Sequence, residues 1–247
     1  MRHTKNRVLT NIGLALSFSS RIPFPCPADT DMGKAFAWLP LAGVFLSLLA
    51  LSPLLLPVSN SWILAWLYVA LAAWLSRGLH WDGLADVADG LGSNKTGAEF
   101  WKAVKDSRMG ALGGLCTAIA AAGYIVAAQG LIEAGMWFAL PWAAGLGRAF
   151  ALLLPGLSPA SPDAALGQSF AEAKSFPEGI IWVLVLAALG TCLFSFLATA
   201  CAVGLAFLAT GLLAHKAKSM GGFNGDFLGA VIVLSELGAL IAAACLT

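Results

Sequence analysis

The chain has 247 residues, of which 14 are Lys or Arg and 13 are Asp or Glu, giving a net charge of +1. Apolar residues make up 59% of the sequence and the mean hydropathy is +0.83, whereas soluble proteins carry about 25% charged residues. This composition excludes an ordinary cytosolic enzyme, a disordered chain and a nucleic-acid-binding protein, which would need a basic surplus. It predicts an all-α, polytopic integral membrane protein, with residues 1–247 forming one membrane-embedded domain.

The first 35 residues are predicted to form an N-terminal cytoplasmic and interfacial segment. Three basic residues precede an apolar stretch that ends at Phe18, a pattern that a signal peptide shares. The apolar part is short, it contains Asn11 and Ser17, and Arg21 follows soon after it. We therefore expect a retained helix that lies at the membrane surface, with a cleaved signal peptide as the alternative.

About seven apolar stretches are predicted to cross the bilayer, since a spanning helix needs about 20 mostly apolar residues. The predicted spans are Phe36–Leu56, Trp62–Leu79, Ala111–Ile132, Gly135–Pro155, two halves of Ile180–Leu213 divided near Ala198, and Gly225–Leu246. With this division every Lys and Arg except Arg148 falls on one side of the membrane. An excess of basic residues marks the cytoplasmic side, so the N-terminus and the segment 77–110 are predicted to be cytoplasmic.

Segment 77–110 is the predicted catalytic segment because it holds five of the thirteen acidic residues. Asp82, Asp86 and Asp89 follow at i, i+4 and i+7, within an arc of about 60° on a helix. Carboxylates at this spacing repel each other, and Mg²⁺ removes the repulsion while keeping coordination positions for water and phosphate. The sequence therefore predicts a metal–diphosphate site, with a solvated acidic helix face as the alternative. We expect this helix to continue the second span.

Lys105, Asp106, Ser107 and Arg108 lie just before the third span. Arg suits bidentate phosphate contacts and Lys neutralises a phosphate as a point charge, which indicates diphosphate binding. A helix start with basic membrane anchors is the alternative. Asp106 is interpreted as a further metal ligand, as the base for an attacking hydroxyl, or as a residue that orients Arg108.

Asp226 opens the last span, where it either caps the helix or acts as a base. Glu236 lies about 15 Å farther along the same helix, and Arg148 lies inside the fourth span. Ionisable residues at such depth are costly, so Arg148 and Glu236 are predicted to pair, either at the floor of the site or as a purely structural pair. His80 is interpreted as a base, a phosphate donor or a core histidine.

Three motifs, in this order, resemble those of the cobalamin synthase family. They are H-x-D-G-L-A-D-x-x-D-G at 80–90, K-D-S-R-x-G-x-x-G at 105–113 and G-G-x-x-G-D-x-L-G-A at 221–230, with a further likeness at Ser20–Pro25. Trp81 and Asn224 depart from the family's usual aliphatic residue and Thr. The resemblance implies a Mg²⁺-dependent enzyme of the bacterial cytoplasmic (inner) membrane. Such an enzyme transfers the phosphocobinamide moiety of adenosylcobinamide-GDP to the 3′-hydroxyl of α-ribazole or α-ribazole 5′-phosphate and releases GMP.

The resemblance and the spacing together assign roles to thirteen residues. The catalytic and metal-binding candidates carry a carboxylate or an imidazole: Asp106, Asp226 and His80 for catalysis, and Asp82, Asp86 and Asp89 for Mg²⁺. The substrate-binding candidates are Arg21, Lys105, Ser107, Arg108, Arg148, Asn224 and Glu236. The expected partners are the two small-molecule substrates and membrane lipid, with no nucleic acid. Association with other late enzymes of cobalamin synthesis and self-association are left open.

Two alternatives to the transferase are another membrane phosphotransferase and a cation transporter. A CDP-alcohol phosphotransferase performs similar chemistry with a D-G-x-x-A-R…G-x-x-x-D-x-x-x-D pattern, of which this chain has only Asp82-Gly83. A cation transporter needs carboxylates near the bilayer midplane, where only Glu236 is expected. The substitution Asp82→Asn separates the classes, because a transferase loses metal-dependent turnover whereas a transporter loses ion flux.

Overall fold

The computed structural model describes residues 2–24, 32–173 and 175–246, and the side chains in these ranges apart from those of residues 2–7 and 32. Pro25 of the N-terminal motif and Lys174 lie outside the described residues. The described ranges contain α-helices and no β-strand. The helices are α1 (Arg2–Ser19), α2 (Met32–Phe36), α3 (Leu39–Ala50), α4 (Ser61–Leu75), α5 (Leu79–Gly92), α6 (Gly97–Val104), α7 (Ala111–Glu133), α8 (Ala139–Ala151), α9 (Leu154–Leu157), α10 (Ala165–Glu172), α11 (Phe176–Leu193), α12 (Phe196–Ser219) and α13 (Gly225–Leu246).

Several of these helices are long and apolar enough to cross a membrane. In the described part of the chain they are Ala111–Glu133, Ala139–Leu157, Phe176–Leu193, Phe196–Ser219 and Gly225–Leu246, with a sixth crossing if α4 and α5 form one bent span. The first predicted span is instead α3 with a 3₁₀ turn that ends at Leu55. At about 25 Å it is shorter than the ~30 Å hydrocarbon layer. The all-α polytopic class is confirmed, with five or six crossings by length in place of about seven.

The predicted break within 180–213 is confirmed, although it lies earlier than expected. Helix α11 ends at Leu193 and α12 begins at Phe196, a few residues before Ala198. The Ser195 hydroxyl accepts a hydrogen bond from the Ala198 backbone N–H at 3.1 Å. This side-chain cap satisfies a free N–H at the start of α12 and explains why the turn can be so short.

The aspartate-bearing helix α5 does not continue α4 in a straight line, because the chain bends by 88° between them, so the two helices could form one span only as a bent pair. Arg77 and Gly78 both have left-handed backbone conformations, with φ of 57° and 67°, which costs a non-glycine residue about 1–2 kcal/mol. The Arg77 guanidinium donates a hydrogen bond to the Phe18 carbonyl at 2.7 Å. The Arg21 backbone N–H donates to the Leu75 carbonyl at 2.8 Å. These bonds hold the bend against the end of α1.

Helices α8 and α13 form the buried centre of the molecule, whereas α7, α11 and α12 expose apolar side chains. At Gly147 a Cβ would lie 2.7 Å from the Ile232 carbonyl oxygen, so this glycine allows α8 and α13 to approach closely. Ile119, Leu184 and Leu208 are among the exposed residues of the outer helices. Continuous apolar surface of this kind suits contact with lipid.

Hydrogen bonds gather several helix ends on one side of the molecule. The Trp101 indole N–H donates to the Met220 carbonyl at 2.8 Å, which fixes α6 to the end of α12. The Ser161 N–H donates to the Phe223 carbonyl at 2.8 Å, and the Phe223 N–H donates to the Pro159 carbonyl at 2.9 Å. The connection between α9 and α10 therefore lies on the turn between α12 and α13. We call this end of the molecule, where α5, α6, α10 and the starts of α7 and α13 meet, the site face.

Candidate active site

Two glycines bring the backbones of α5 and α13 into direct contact on the site face. A Cβ at Gly83 would lie 2.7 Å from the Asp226 carbonyl oxygen, and a Cβ at Gly229 would lie 3.1 Å from the His80 carbonyl oxygen. Any side chain at Gly83 would push the two helices apart. The glycines of the first and third sequence motifs therefore place the aspartates of α5 beside Asp226.

The four aspartates Asp82, Asp86, Asp89 and Asp226 form one group, which we call the carboxylate cluster. Asp82 is exposed and the other three are half-buried. Burial, together with the charges of Asp226, Asp82 and Asp89, raises the pKa of Asp86 from 3.8 to about 6. Burial is the largest cause of this shift, and the added repulsion from three neighbouring carboxylates indicates that negative charge is concentrated in the cluster.

Asp89 has a second role, since its carboxylate caps the start of α7. The Gly110 N–H donates to Oδ2 at 2.6 Å and the Gly113 N–H donates to Oδ1 at 2.7 Å. A Cβ at either glycine would lie 2.3 Å from an oxygen of Asp89, so the glycines of the second motif make room for this carboxylate. The contact joins α7 to α5 and fixes the orientation of the Asp89 side chain.

Asn224, rather than Asp226, caps the last helix. The Asn224 Oδ1 accepts hydrogen bonds from the backbone N–H groups of Asp226 at 3.1 Å and Phe227 at 3.2 Å. Its Nδ2 donates to Asp226 Oδ2 at 2.6 Å. The helix-capping interpretation of Asp226 is therefore wrong, and its carboxylate is turned towards α5 with one oxygen held by Asn224.

Asp106 and Arg108 form an exposed pair with each other. The Arg108 Nε and Nη2 donate to the two carboxylate oxygens of Asp106 at 3.1 and 2.8 Å. These bonds lower the pKa of Asp106 to about 2, so this carboxylate has little tendency to accept a proton. Of its three interpretations, the orientation of Arg108 is the one that the structure displays. Lys105 and Ser107 are also exposed, and Lys105 is close enough to Asp226 for a favourable charge interaction.

The predicted Arg148–Glu236 pair is confirmed. Arg148 Nη1 lies 3.4 Å from Glu236 Oε2 and donates to the Ala144 carbonyl at 2.8 Å. Arg148 lines a cavity that also reaches His80, Asp82 and Asp226, so the pair lies beneath the carboxylate cluster. Glu236 belongs to a second cavity behind the first, which Arg148 and His80 also line.

His80 is buried on the first turn of α5. Within the described residues its Nε2 has no hydrogen-bond partner, and the same is true of Arg148 Nε. Buried polar atoms in proteins are normally paired, so these two atoms indicate space for water or a ligand. The catalytic role of His80 stays a prediction.

Arg21 takes part in structural contacts with α4. Its Nε donates to the Trp74 carbonyl at 2.7 Å, and its guanidinium carbon lies 5.3 Å from the centre of the Trp74 ring. These contacts tie the end of α1 to the end of α4, next to the 88° bend. A role for Arg21 in substrate binding stays a prediction.

Sequence reasoning overlooked the part that α1 and α10 play in the site. Phe18 of α1 and Leu166 and Phe170 of α10 line the cavity that contains Asp82 and Asp226. The only sequence signal for α10 is the i, i+4 spacing of Leu166 and Phe170 in an otherwise polar stretch. That spacing marks one apolar helix face but does not say what it covers.

The donor chemistry of the carboxylate cluster fits Mg²⁺. Among the described residues no three His, Cys, Asp or Glu side chains are arranged as one metal-binding group, so joint ligation by Asp82, Asp86 and Asp89 stays a prediction. Mg²⁺ is commonly held by one or two carboxylates and completes its shell with water and substrate phosphates. Asp82 and Asp86, whose oxygens are not engaged by α7, are the members of the cluster that could hold it in this way.

Comparison with known proteins identifies the family to which this sequence is similar. The sequence model of the cobalamin-5-phosphate synthase family matches residues 11–244. Adenosylcobinamide-GDP ribazoletransferases from Nitratidesulfovibrio vulgaris (strain DSM 19637 / Miyazaki F), Syntrophobacter fumaroxidans and Klebsiella pneumoniae are 37%, 34% and 30% identical to the chain. These alignments cover 92%, 96% and 92% of the chain and 92%, 99% and 96% of the relatives. No solved structure matches the chain. The family match over nearly the whole sequence shows that the chain belongs to the cobalamin-5-phosphate synthase family.

Proposed function

We propose that this protein is a Mg²⁺-dependent adenosylcobinamide-GDP ribazoletransferase. It would join adenosylcobinamide-GDP to α-ribazole or α-ribazole 5′-phosphate and release GMP, giving adenosylcobalamin or its 5′-phosphate. The observation that carries the proposal is the uncompensated carboxylate cluster beside exposed basic residues, within a chain of this family. A diphosphate donor requires both positive charge and a cation to stabilise its transition state.

In the proposed reaction the 3′-hydroxyl oxygen of the acceptor attacks the phosphorus on the cobinamide side of the diphosphate. A new P–O bond forms to the ribose, and the P–O bond to GMP breaks. The hydroxyl proton passes to a carboxylate, and GMP leaves as an anion. Asp226 is our candidate for the base because Asn224 already holds one of its oxygens in place, whereas Arg108 depresses the basicity of Asp106.

Asp82 and Asp86 would hold Mg²⁺, with Asp89 fixing their helix against α7. When bound, Mg²⁺ would neutralise diphosphate oxygens and stabilise the charge that develops on them. Lys105 and Arg108 would contact the diphosphate or the departing GMP. Both are exposed, and Lys105 interacts with the charge of Asp226. Arg108 lies two residues before Gly110, which contacts Asp89. Arg108 enters this role with its guanidinium oriented by Asp106.

We also propose that the site face is cytoplasmic. The connections and helix ends at this face carry basic residues: Lys95, Lys102, Lys105, Arg108, Lys216 and Lys218. Positive charge accumulates on the cytoplasmic side of membrane proteins. Both substrates are large polar molecules and would reach such a site without crossing the bilayer. The cation-transporter alternative receives no support, because Glu236 is neutralised by Arg148.

The test is GMP release by the purified full-length protein in detergent. Adenosylcobinamide-GDP would be supplied with or without α-ribazole 5′-phosphate and with or without Mg²⁺. We expect GMP only when acceptor and Mg²⁺ are both present, and we expect Asp82→Asn to abolish it. Glu99→Gln is the matched control, since Glu99 is an exposed carboxylate of the same segment paired with Lys95 at 3.6 Å. Absence of GMP from folded wild-type protein, or equal release without Mg²⁺, would contradict the proposal.

A further inference from the structure

The cavity beneath the carboxylate cluster is a narrow apolar slot, and the proposed chemistry at its mouth leaves its interior unexplained. Its volume is about 100 Å³, smaller than a site that encloses a whole drug-sized ligand, so it suits one flat ring system and not a complete nucleotide. Along α13 it extends from Asp226 to Ile232, about 9 Å of helix. Its apolar wall comes from four helices: Phe18, Leu39, Leu166, Phe170, Leu228 and Ile232. We call this cavity the apolar slot.

The polar groups of the apolar slot are few and lie at defined depths. Asp82 and Asp226 line it at the site face, where the proposed reaction takes place. His80 lies deeper, against Gly229, and Arg148 lies deepest, next to Glu236. His80 and Arg148 are only 8% and 6% exposed, and within the described residues His80 Nε2 and Arg148 Nε have no partner. Both side chains line the slot, and either of these nitrogens could donate an N–H to a ligand after a small rotation of the side chain.

We infer that the apolar slot binds the benzimidazole base of the acceptor nucleoside. This inference rests on the proposed function and adds the subsite that selects the acceptor. The base of α-ribazole is a flat bicyclic ring with two methyl groups and one free ring nitrogen, which accepts a hydrogen bond. In the slot its ring packs between the apolar walls, and the free nitrogen accepts the N–H of His80 or Arg148. The ribose then lies at the mouth, with its 3′-hydroxyl beside Asp82 and Asp226.

The same slot disfavours the guanine of the donor. Guanine carries a ring N–H and an amino group, which need hydrogen-bond acceptors when they are buried. The deep part of the slot presents N–H groups and apolar carbon, so these donors would be left unpaired. The slot therefore separates the two nucleosides by chemistry, and it keeps the donor's GMP portion at the exposed basic residues where the leaving group can depart.

A steric test uses Ala151, a slot residue on the last turn of α8. Ala151→Val adds two methyl groups to the wall, and an acceptor riboside of unsubstituted benzimidazole lacks the two methyl groups of α-ribazole. Binding of either riboside to the full-length protein in detergent would be followed by ring fluorescence without donor, so that no turnover occurs. Ala149→Val is the control, because Ala149 is buried on the same helix and does not line the slot.

We expect Ala151→Val to raise the dissociation constant of α-ribazole at least tenfold and that of the unsubstituted riboside less than threefold. Ala149→Val should leave the ratio of the two constants unchanged. Leu166→Ala at the half-buried rim provides a second variant with little risk of misfolding, and it should bind a bulkier tricyclic base riboside at least fivefold more tightly than the wild type does. Equal weakening of both ribosides by Ala151→Val, or no change with either slot variant, would overturn the inference.

The two proposals fail in different ways. Selective base binding without any GMP release from the wild type would overturn the proposed function and leave the base subsite in place. If GMP release depended on the acceptor but neither slot variant changed the dissociation constants of the ribosides, the subsite would be overturned and the proposed function would remain.

Discussion

The protein holds two neighbouring groups of ionisable side chains, and they differ in how their charge is balanced. Arg148 and Glu236 neutralise each other within the core, 3.4 Å apart. The carboxylate cluster of Asp82, Asp86, Asp89 and Asp226 stands above them with a surplus of negative charge, and burial together with this charge raises the pKa of Asp86 to about 6. A balanced pair can be explained by structure alone, whereas an unbalanced cluster at a cavity mouth indicates a positively charged ligand.

The largest expected effect comes from breaking the balanced pair. Arg148→Met leaves the Glu236 carboxylate buried without a partner, and we expect the free energy of unfolding to fall by about 3–5 kcal/mol. The double variant Arg148→Met/Glu236→Leu removes both charges and should recover at least half of this loss. Thermal unfolding in detergent measures both, with Arg108→Met as an exposed control. A double variant no more stable than the single one would contradict a mutually neutralising pair.

Removing one charge from the carboxylate cluster should separate stability from activity. Asp86→Asn relieves repulsion, so the metal-free protein should unfold at a higher temperature than the wild type does. The same variant should lower Mg²⁺-dependent GMP release by about 100-fold or more, because a preorganised charged group at the reacting phosphates is lost. Glu99→Gln should change neither quantity. If Asp86→Asn lost stability together with activity, the aspartates would be a structural network.

A smaller effect is expected where Asp89 caps α7. Gly113→Ala would place a Cβ 2.3 Å from Asp89 Oδ2 and 2.7 Å from the Ala85 carbonyl oxygen, and overpacking of this kind costs about 1–3 kcal/mol. The neighbouring Gly114→Ala is a matched control, since its Cβ would meet only Met109 at an ordinary 3.5 Å. Unfolding temperature and GMP release should fall for the first variant and not for the second. Equal behaviour of the two variants would contradict the close α5–α7 contact.

The smallest effect is the pH dependence that Asp86 contributes. Its pKa is higher in the folded protein than the ordinary 3.8, so the folded state binds this proton more tightly than the unfolded state does. Stability of the metal-free protein should therefore decrease as the pH rises from about 4 to about 6 and stay lower above that range. The difference between wild type and Asp86→Asn, measured by thermal unfolding in a chelator at pH 5 and pH 7.5, isolates this contribution. The variant should exceed the wild type in unfolding temperature by more at pH 7.5 than at pH 5. A larger excess at pH 5 would contradict the raised pKa of Asp86.

Sequence patterns predicted the elements of the site better than their arrangement. The i, i+4, i+7 spacing of the aspartates and the glycines of the motifs were enough to predict one acidic face and close helix contacts. The 88° bend depends on a left-handed Arg77 that is held by the Phe18 carbonyl, and hydrophobic periodicity contains no information on the angle between helices. It also cannot distinguish which of two polar residues, Asn224 or Asp226, caps α13.

The contribution of α10 to the cavity could not be predicted from the sequence for a related reason. Its Leu166 and Phe170 reach the cavity because Ser161 pairs with Phe223 on the turn before α13. That contact joins residues far apart in the chain, and local spacing does not reveal it. The Arg148–Glu236 pair was predictable from the cost of buried charge, because each residue needs a partner of opposite sign within the apolar core.

The carboxylate cluster is proposed to bind a divalent cation, and direct binding of a metal ion tests this without any turnover. Mn²⁺ can replace Mg²⁺ as a probe, and its free concentration can be followed by electron paramagnetic resonance during titration of the purified protein in detergent. We expect one Mn²⁺ per chain in the wild type and in Glu99→Gln, displaced by excess Mg²⁺, and no such binding in Asp82→Asn or Asp86→Asn. Unchanged Mn²⁺ binding in both aspartate variants would contradict the account.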